Sequence, residues 1–273
     1  MIIKYTRLNK LSKNKNKVQY IFLSHDVDWS RKGPSKDHIL ARKERFDPEL
    51  FQKTPIENLY YNFPEYMEIE DKFNVRSTFF FRTKYETGDF NEYENEIKSL
   101  INGGWEIGLH CDPSSVSDIK KLEFEKKALE KLTGTSIRAN RVHYLKFNDE
   151  LPKKLIELGF EYDSSVRNSK DKIDENEMGY YKIDSLIEFP VTLMDAYLFT
   201  YMKLSEDEIL PTIKKTLDYG RNLDRVNNVI TILWHDNVLK MKGGRMYKNI
   251  LEFLTSQDDV KICKGEELVS ILK

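Results

Sequence analysis

The chain has 273 residues, enough for one large α/β domain or two small ones. Its 44 basic and 45 acidic residues nearly cancel, which argues against a nucleic-acid-binding surface, and no apolar run approaches a membrane span. The two cysteines, Cys111 and Cys263, imply no disulfide framework, and Leu8–Lys17 is charged where a signal peptide needs an apolar stretch, so the expected protein is soluble and cytoplasmic.

The Lys-rich start, Lys4–Lys17, reads as a solvated lead-in. The run Tyr20-Ile21-Phe22-Leu23-Ser24-His25-Asp26-Val27-Asp28-Trp29 then begins as a strand buried on both faces. Residues two apart on a strand point the same way, so Asp26 and Asp28 emerge together at its C-terminal mouth. Two like charges so close repel, and a cation beside them is the commonest reason for the pair; a turn or helix cap is the plainer alternative.

Ser30 to about Thr54 is polar and broken by Gly33-Pro34, long for a connection, which suits a lid or binding loop. Pro55–Phe73 predicts a helix kinked or split at Pro64. Arg76–Phe81 is a second strand, and Asn91–Asn102 a helix closed by Gly103-Gly104. Trp105–His110 is a third strand ending on histidine. Ser117–Leu132 has apolar residues at helical spacing and a stop at Gly134. Ile137–Tyr144 is a fourth strand carrying Arg141 and His143. A short helix over Asp149–Leu158, capped by Asn148, leads to a fifth strand, Phe160–Asp163.

A polar loop from Ser164 to Gly179 precedes a sixth strand, Ile187–Val191. Ser205-Glu206-Asp207-Glu208 is a capping box opening a helix to about Arg221. Val229–His235 is the clearest strand of the chain and again ends on histidine. A helix from about Arg245 to Leu254, a strand over Val260–Cys263 and a helix from Glu266 complete the pattern. Without repeats or a linker, alternating strands and helices imply one domain with parallel strands and helical crossovers. An α/β barrel and an open doubly wound sheet both fit, though no Gly-rich phosphate loop follows the first strand.

The informative feature is position. Asp26, Asp28, His110, Arg141, His143, Asp163 and His235 all fall at or just past the C-terminal ends of predicted strands, the face that carries chemistry in α/β barrels. Any one alone is a satisfied rim residue, a surface pair or a turn cap. Together they supply the mixed nitrogen and oxygen donors that suit Zn²⁺ or a similar ion, with proton-transfer groups beside them.

At these residues the chain resembles the NodB-homology polysaccharide deacetylases, carbohydrate esterase family 4, over nearly its whole length. Leu23-Ser24-His25-Asp26-Val27-Asp28 is similar to the first motif, and Ser77-Thr78-Phe79-Phe80-Phe81 to the strand after it. Trp105-Glu106-Ile107-Gly108-Leu109-His110 resembles the approach to the second. Arg141-Val142-His143-Tyr144 resembles the third, Gly159–Ser165 a later strand, and Leu233-Trp234-His235-Asp236 the last. With Met194-Asp195, the pattern is nearest a branch found with surface-polysaccharide genes.

The resemblance implies a deformed (β/α) barrel, one domain over 1–273 with Ser30–Thr54 as an insertion. It implies a metal-dependent hydrolase that removes an acetyl group from a small-molecule or oligosaccharide sugar substrate. Asp28 and His110 would hold Zn²⁺ or another divalent ion, Asp26 would be the general base, Arg141 would keep Asp26 ionised, and His235 would be the proton donor. Asp163 or Asp195 would steady His235 or Arg141. Two departures stand out. The family's second histidine, four residues after the first, is Ser114 here, so His143 on the neighbouring strand is the candidate third ligand. The first motif also has a residue between its acids. A metal-dependent amidase on a non-sugar C–N bond and a non-catalytic carbohydrate-binding relative are the rival readings.

Overall fold

The computed structural model describes residues 17–167, 169–223 and 227–273; the basic start as far as residue 16 lies outside the described residues. Among the described residues, ten strands form one sheet: β1 (Val18–Val27), β2 (Thr78–Phe81), β3 (Glu106–Cys111), β4 (Ala139–Val142), β5 (Tyr162–Asp163), β6 (Tyr181–Ile183), β7 (Leu186–Glu188), β8 (Val191–Met194), β9 (Asn227–Leu233) and β10 (Val260–Cys263). The helices are α1 (Lys36–Leu40), α2 (Leu50–Lys53), α3 (Phe63–Lys72), α4 (Glu94–Asn102), α5 (Ile119–Thr133), α6 (Leu151–Glu157), α7 (Asp195–Thr200), α8 (Glu206–Asn222), α9 (Tyr247–Thr255) and α10 (Gly265–Leu272).

The strand order is β6-β7-β5-β4-β3-β2-β1-β9-β8, with β10 also on β1. Every pairing is parallel except the β6–β7 hairpin. β1 is long enough to take two neighbours on one edge: Gln19–Phe22 pair with β10 and Ser24–Val27 with β2. β7 and β8 are successive lengths of one stretch. The first pairs with β5 and the second with β9, so the chain itself joins the two sides of the curled sheet. The Val191 N–H donates to Val166 O at 2.9 Å across that seam. The architecture is therefore the deformed barrel, not the open doubly wound sheet.

Alternation along the strands separates an inside from an outside. Phe22, Phe80, Ala139, Tyr162, Phe189 and Val229 form one buried cluster within the curl, plugged from below by Leu268, Val269 and Leu272 of α10. Gly108 belongs to this inner face: a Cβ there would stand 2.5 Å from Phe80 Cδ1, so the large ring and the glycine are one packing choice. Ile21, Leu23, Phe79, Phe81, Ile107, Leu109, Ile230 and Ile232 face outward into the larger core beneath the helices. The two-residue period carries Ser24 and Asp26 into the barrel after Phe22, His110 after Gly108, Arg141 after Ala139, and His235 after Leu233.

His25 points the other way. Its Nδ1 donates to Trp234 O at 2.6 Å, and its Nε2 lies 2.9 Å from Glu70 Oε1. Glu70, fully buried on α3, also accepts from Ser77 Oγ at 2.9 Å, Trp105 Nε1 at 2.7 Å and Tyr247 Oη at 2.7 Å. Glu70→Ala would leave these donors buried without an acceptor, and a loss of about 3–5 kcal/mol is expected. Urea unfolding measures it; a loss below about 1 kcal/mol would show that water replaces the carboxylate.

Three elements differ from the sequence-based expectation. Pro64 does not kink a long helix; it lies in the first turn of α3, where its missing N–H has no partner to lose. Residues 30–54 are not an extended loop but α1, a 3₁₀ turn at Lys43–Arg45, and α2. Ile39 and Phe46 from this segment pack with Leu59, Tyr60 and Met241 as a separate apolar cluster. β6 and α7 fall in stretches to which no element was assigned, and the expected strand Ile187–Val191 is divided between β7 and β8. Among the described residues, no helix is long and apolar enough to cross a membrane.

Candidate active site

The rim of the curled sheet collects the polar ends of β1, β3, β4 and β9 around a cavity of about 380 Å³. Asp26, Asp28, His110, His143 and His235 line it, and none of residues 30–54 does. Arg141 lies just beneath, fully buried, with its guanidinium 4.4 Å from the Phe80 ring centroid.

Arg141 is fastened at every nitrogen. Nη1 donates to Asp26 Oδ1 at 2.8 Å and to Ser24 Oγ at 3.0 Å. Nε donates to Ser164 O at 2.9 Å and Nη2 to Ser164 Oγ at 2.8 Å. Burial alone would raise the Asp26 carboxyl, but the Arg141 charge, helped by His110 and His235, outweighs it and holds the pKa below the ordinary carboxylate range. Asp26 is thus an ionised base locked in one orientation. Ser24 and Ser164 escaped the sequence reading, although Ser24, two residues before Asp26, carries a same-face signal.

Beside this pair, Asp28, His110 and His143 each offer one donor atom, all within 4.8 Å of one another. His110 Nδ1 donates to Arg141 O, which only accepts, at 3.0 Å, so Nε2 is the ring nitrogen turned to the cavity. It lies 3.2 Å from Asp28 Oδ1. His143 Nε2 lies 3.6 Å from the same oxygen. Asp28 Oδ1 is buried and has no hydrogen-bond partner. Burial, reinforced by the neighbouring His110, pushes the His143 imidazole down to about 4, so it is neutral at physiological pH. Two imidazoles converging on an orphaned carboxylate oxygen fit a divalent cation, which would give that oxygen the partner it lacks.

His143 reaches this position by a turn rather than on the strand. β4 ends at Val142, and His143–Leu145 form a tight turn in which Tyr144 and Leu145 have φ of 62° and 52°. Such left-handed non-glycine residues cost energy and commonly mark functional sites. Ser114, where the family places a histidine, is exposed; its Oγ donates to Asp112 Oδ1 at 2.6 Å and also contacts Lys121.

His235 closes the far side. Its Nε2 is 3.5 Å from Asp28 Oδ2, and its Nδ1 donates to Asp195 Oδ1 at 2.6 Å. Asp195 Oδ2 accepts from the His235 backbone N–H at 2.8 Å, so one buried carboxylate fixes both the ring and the main chain. Burial would lower the imidazole, but the Asp195 charge overrides it and lifts the pKa to about 10. The structure thereby decides between two acids left open by the sequence. Asp195 holds His235, whereas Asp163 accepts from Asn140 Nδ2 and Ser165 Oγ and bonds neither His235 nor Arg141.

The curled sheet has the deformed-barrel fold of the NodB-type polysaccharide deacetylases. No family model and no curated protein matches the chain. Solved structures do. A protein from Mycobacterium smegmatis described as a polysaccharide deacetylase superimposes with a TM-score of 0.68 at 20% identity, covering 98% of this chain and 94% of that one. The Puue allantoinase gives a TM-score of 0.67 at 13% identity, covering 93% and 90%. A CE4 family pseudoenzyme from Bacillus anthracis gives 0.54 at 15% identity, covering 92% of this chain and 65% of that one. At such identities the likeness is one of fold.

Proposed function

We propose that this protein is a metal-dependent hydrolase that removes an N-acetyl group from a sugar or a surface-polysaccharide precursor. The observation that carries the reading is one cavity in which three donor atoms lie within 4.8 Å, with an Arg141-held carboxylate on one side and an Asp195-held imidazole on the other. Asp28, His110 and His143 would hold the ion, which when bound supplies a more acidic water and a polarised acyl carbonyl. Zinc as that ion, and a cytoplasmic location, belong to the same proposal.

Asp26 takes the proton from the attacking water as its oxygen bonds to the acyl carbon. Arg141 keeps Asp26 ionised and fixed. His235, protonated at neutral pH, gives its Nε2 proton to the nitrogen as the C–N bond breaks, leaving an amine and a carboxylic acid; the acid then ionises, Asp26 loses its proton and His235 regains one. Purified protein is expected to carry about one divalent ion per chain and to release acetate from N-acetyl sugars. Protein that stays metal-free in excess zinc would favour a carbohydrate-binding role instead. The likeness to an allantoinase supports one second reading, hydrolysis of a non-sugar amide, which a substrate panel distinguishes.

The two proton carriers set the sign of the pH dependence. Below the depressed pKa of Asp26 the base is lost, and above that of His235 the acid is lost. Activity is therefore a bell whose alkaline limb falls at or below about 10, since a bound cation lowers it further. Asp195→Asn removes the charge that raises His235, so the alkaline limb of kcat is expected to move to lower pH and kcat to fall about 10²-fold. An unmoved limb would show that His235 is not the titrating acid.

A further inference from the structure

The site cavity is lined by a single lysine or arginine, Lys170, whose amine has no acidic partner and no hydrogen-bond acceptor among the described residues. Its neighbour Arg167 is committed to the fold: Nη1 donates to Val191 O and Thr192 O at 2.9 Å each, Nε donates to Ser169 O, and the guanidinium lies 4.5 Å from the Tyr197 ring centroid. Lys170 repeats the stacking one helical turn further along, with Nζ 5.6 Å from the Tyr201 ring centroid, but it is exposed. Tyr197 and Tyr201 are themselves in edge contact at 5.2 Å. The ring thus holds an unneutralised cation at the mouth of the cavity.

The rest of the cavity gives that cation a meaning. Its floor carries Asp26 and Asp28, which repel an anion, while Tyr144, 79% exposed and stacked on His143 at 3.8 Å, offers an apolar face on the wall. A neutral sugar would leave Lys170 without a partner. A sugar bearing an acidic group would be oriented, with acid at the mouth and acyl group at the floor. Resting on the deacetylase reading above, we propose that Lys170, seated on Tyr201, is a subsite for an anionic group carried by the acylated sugar. A ring carboxylate and a glycosyl phosphate or diphosphate share the required chemistry.

The test compares kcat/KM for triacetylchitotriose, N-acetylglucosaminuronic acid and UDP-N-acetylglucosamine, which are neutral, carboxylate-bearing and diphosphate-bearing. One acidic substrate is expected to exceed the neutral one by about tenfold, the increment of a charge-assisted contact. Lys170→Met should abolish that ratio and Lys170→Arg recover it, and the favoured acidic substrate identifies the source of the anion. A ratio unchanged in Lys170→Met, or a preference for the neutral sugar, overturns the proposal. Calorimetric binding of both acidic sugars to Asp26→Asn, with and without Lys170→Met, separates the two readings. Lys170-dependent binding without hydrolysis of any substrate upholds the subsite and rejects the deacetylase. Hydrolysis of chitotriose without Lys170-dependent binding does the reverse. Absence of both rejects the subsite too.

Discussion

Asp26→Asn is expected to lower kcat by about 10²–10⁴-fold with little change in KM, because the substituted amide cannot accept the proton of the attacking water. The fold should survive, since an amide oxygen can still accept from Arg141 Nη1, now 2.8 Å from Asp26 Oδ1. Metal content should also survive, as Asp26 is not among the three residues whose donor atoms converge. Single-turnover kinetics with metal analysis on the same sample check all three points. A variant keeping more than about a tenth of wild-type kcat would place the base elsewhere.

His143→Ala is expected to weaken metal binding by at least about 100-fold and to remove activity in step, with partial rescue by excess ion. Ser114 stands where the deacetylases the sequence resembles carry a histidine, which makes this the sharper experiment. Ser114 is turned into a surface network with Asp112 and Lys121, while the His143 ring stands edge-on to His110 at 5.2 Å. Zinc titration against a competing chelator measures the loss. Unchanged affinity in His143→Ala would remove His143 from the site. Recovery of affinity in a Ser114→His, His143→Ala double variant would show that the two positions are alternative sources of one imidazole.

Most of the rim was legible before any coordinates. Asp26, Asp28, His110, Arg141 and His235 stand at strand ends, and parallel strands joined by helical crossovers bring all those ends to one face. The barrel interior was not legible: the two-residue period sorts residues within a strand but does not align Phe22, Phe80 and Gly108 on three different strands, and only packing shows that the Phe80 ring occupies the space a side chain at 108 would need. Residues 30–54 hid their helices because their apolar residues, Ile39, Leu40, Ala41, Phe46, Leu50 and Phe51, are too scattered to show a period. Ile39 and Phe46 become a core only against Leu59, Tyr60 and Met241.

The sequence by itself determined the strand ends, the alternation that turns Asp26 inward and His25 outward, and the chemical kinds of donor available at the rim. These are local properties, set by periods of two and 3.6 residues. Tertiary structure alone decided that Asp195 rather than Asp163 holds His235, that a left-handed turn carries His143 to Asp28, that Ser24 and Ser164 fasten Arg141, and that Lys170 faces the same cavity. Each of those is a meeting of segments far apart in the chain, and no local pattern encodes which side chain will arrive opposite another once the sheet has curled.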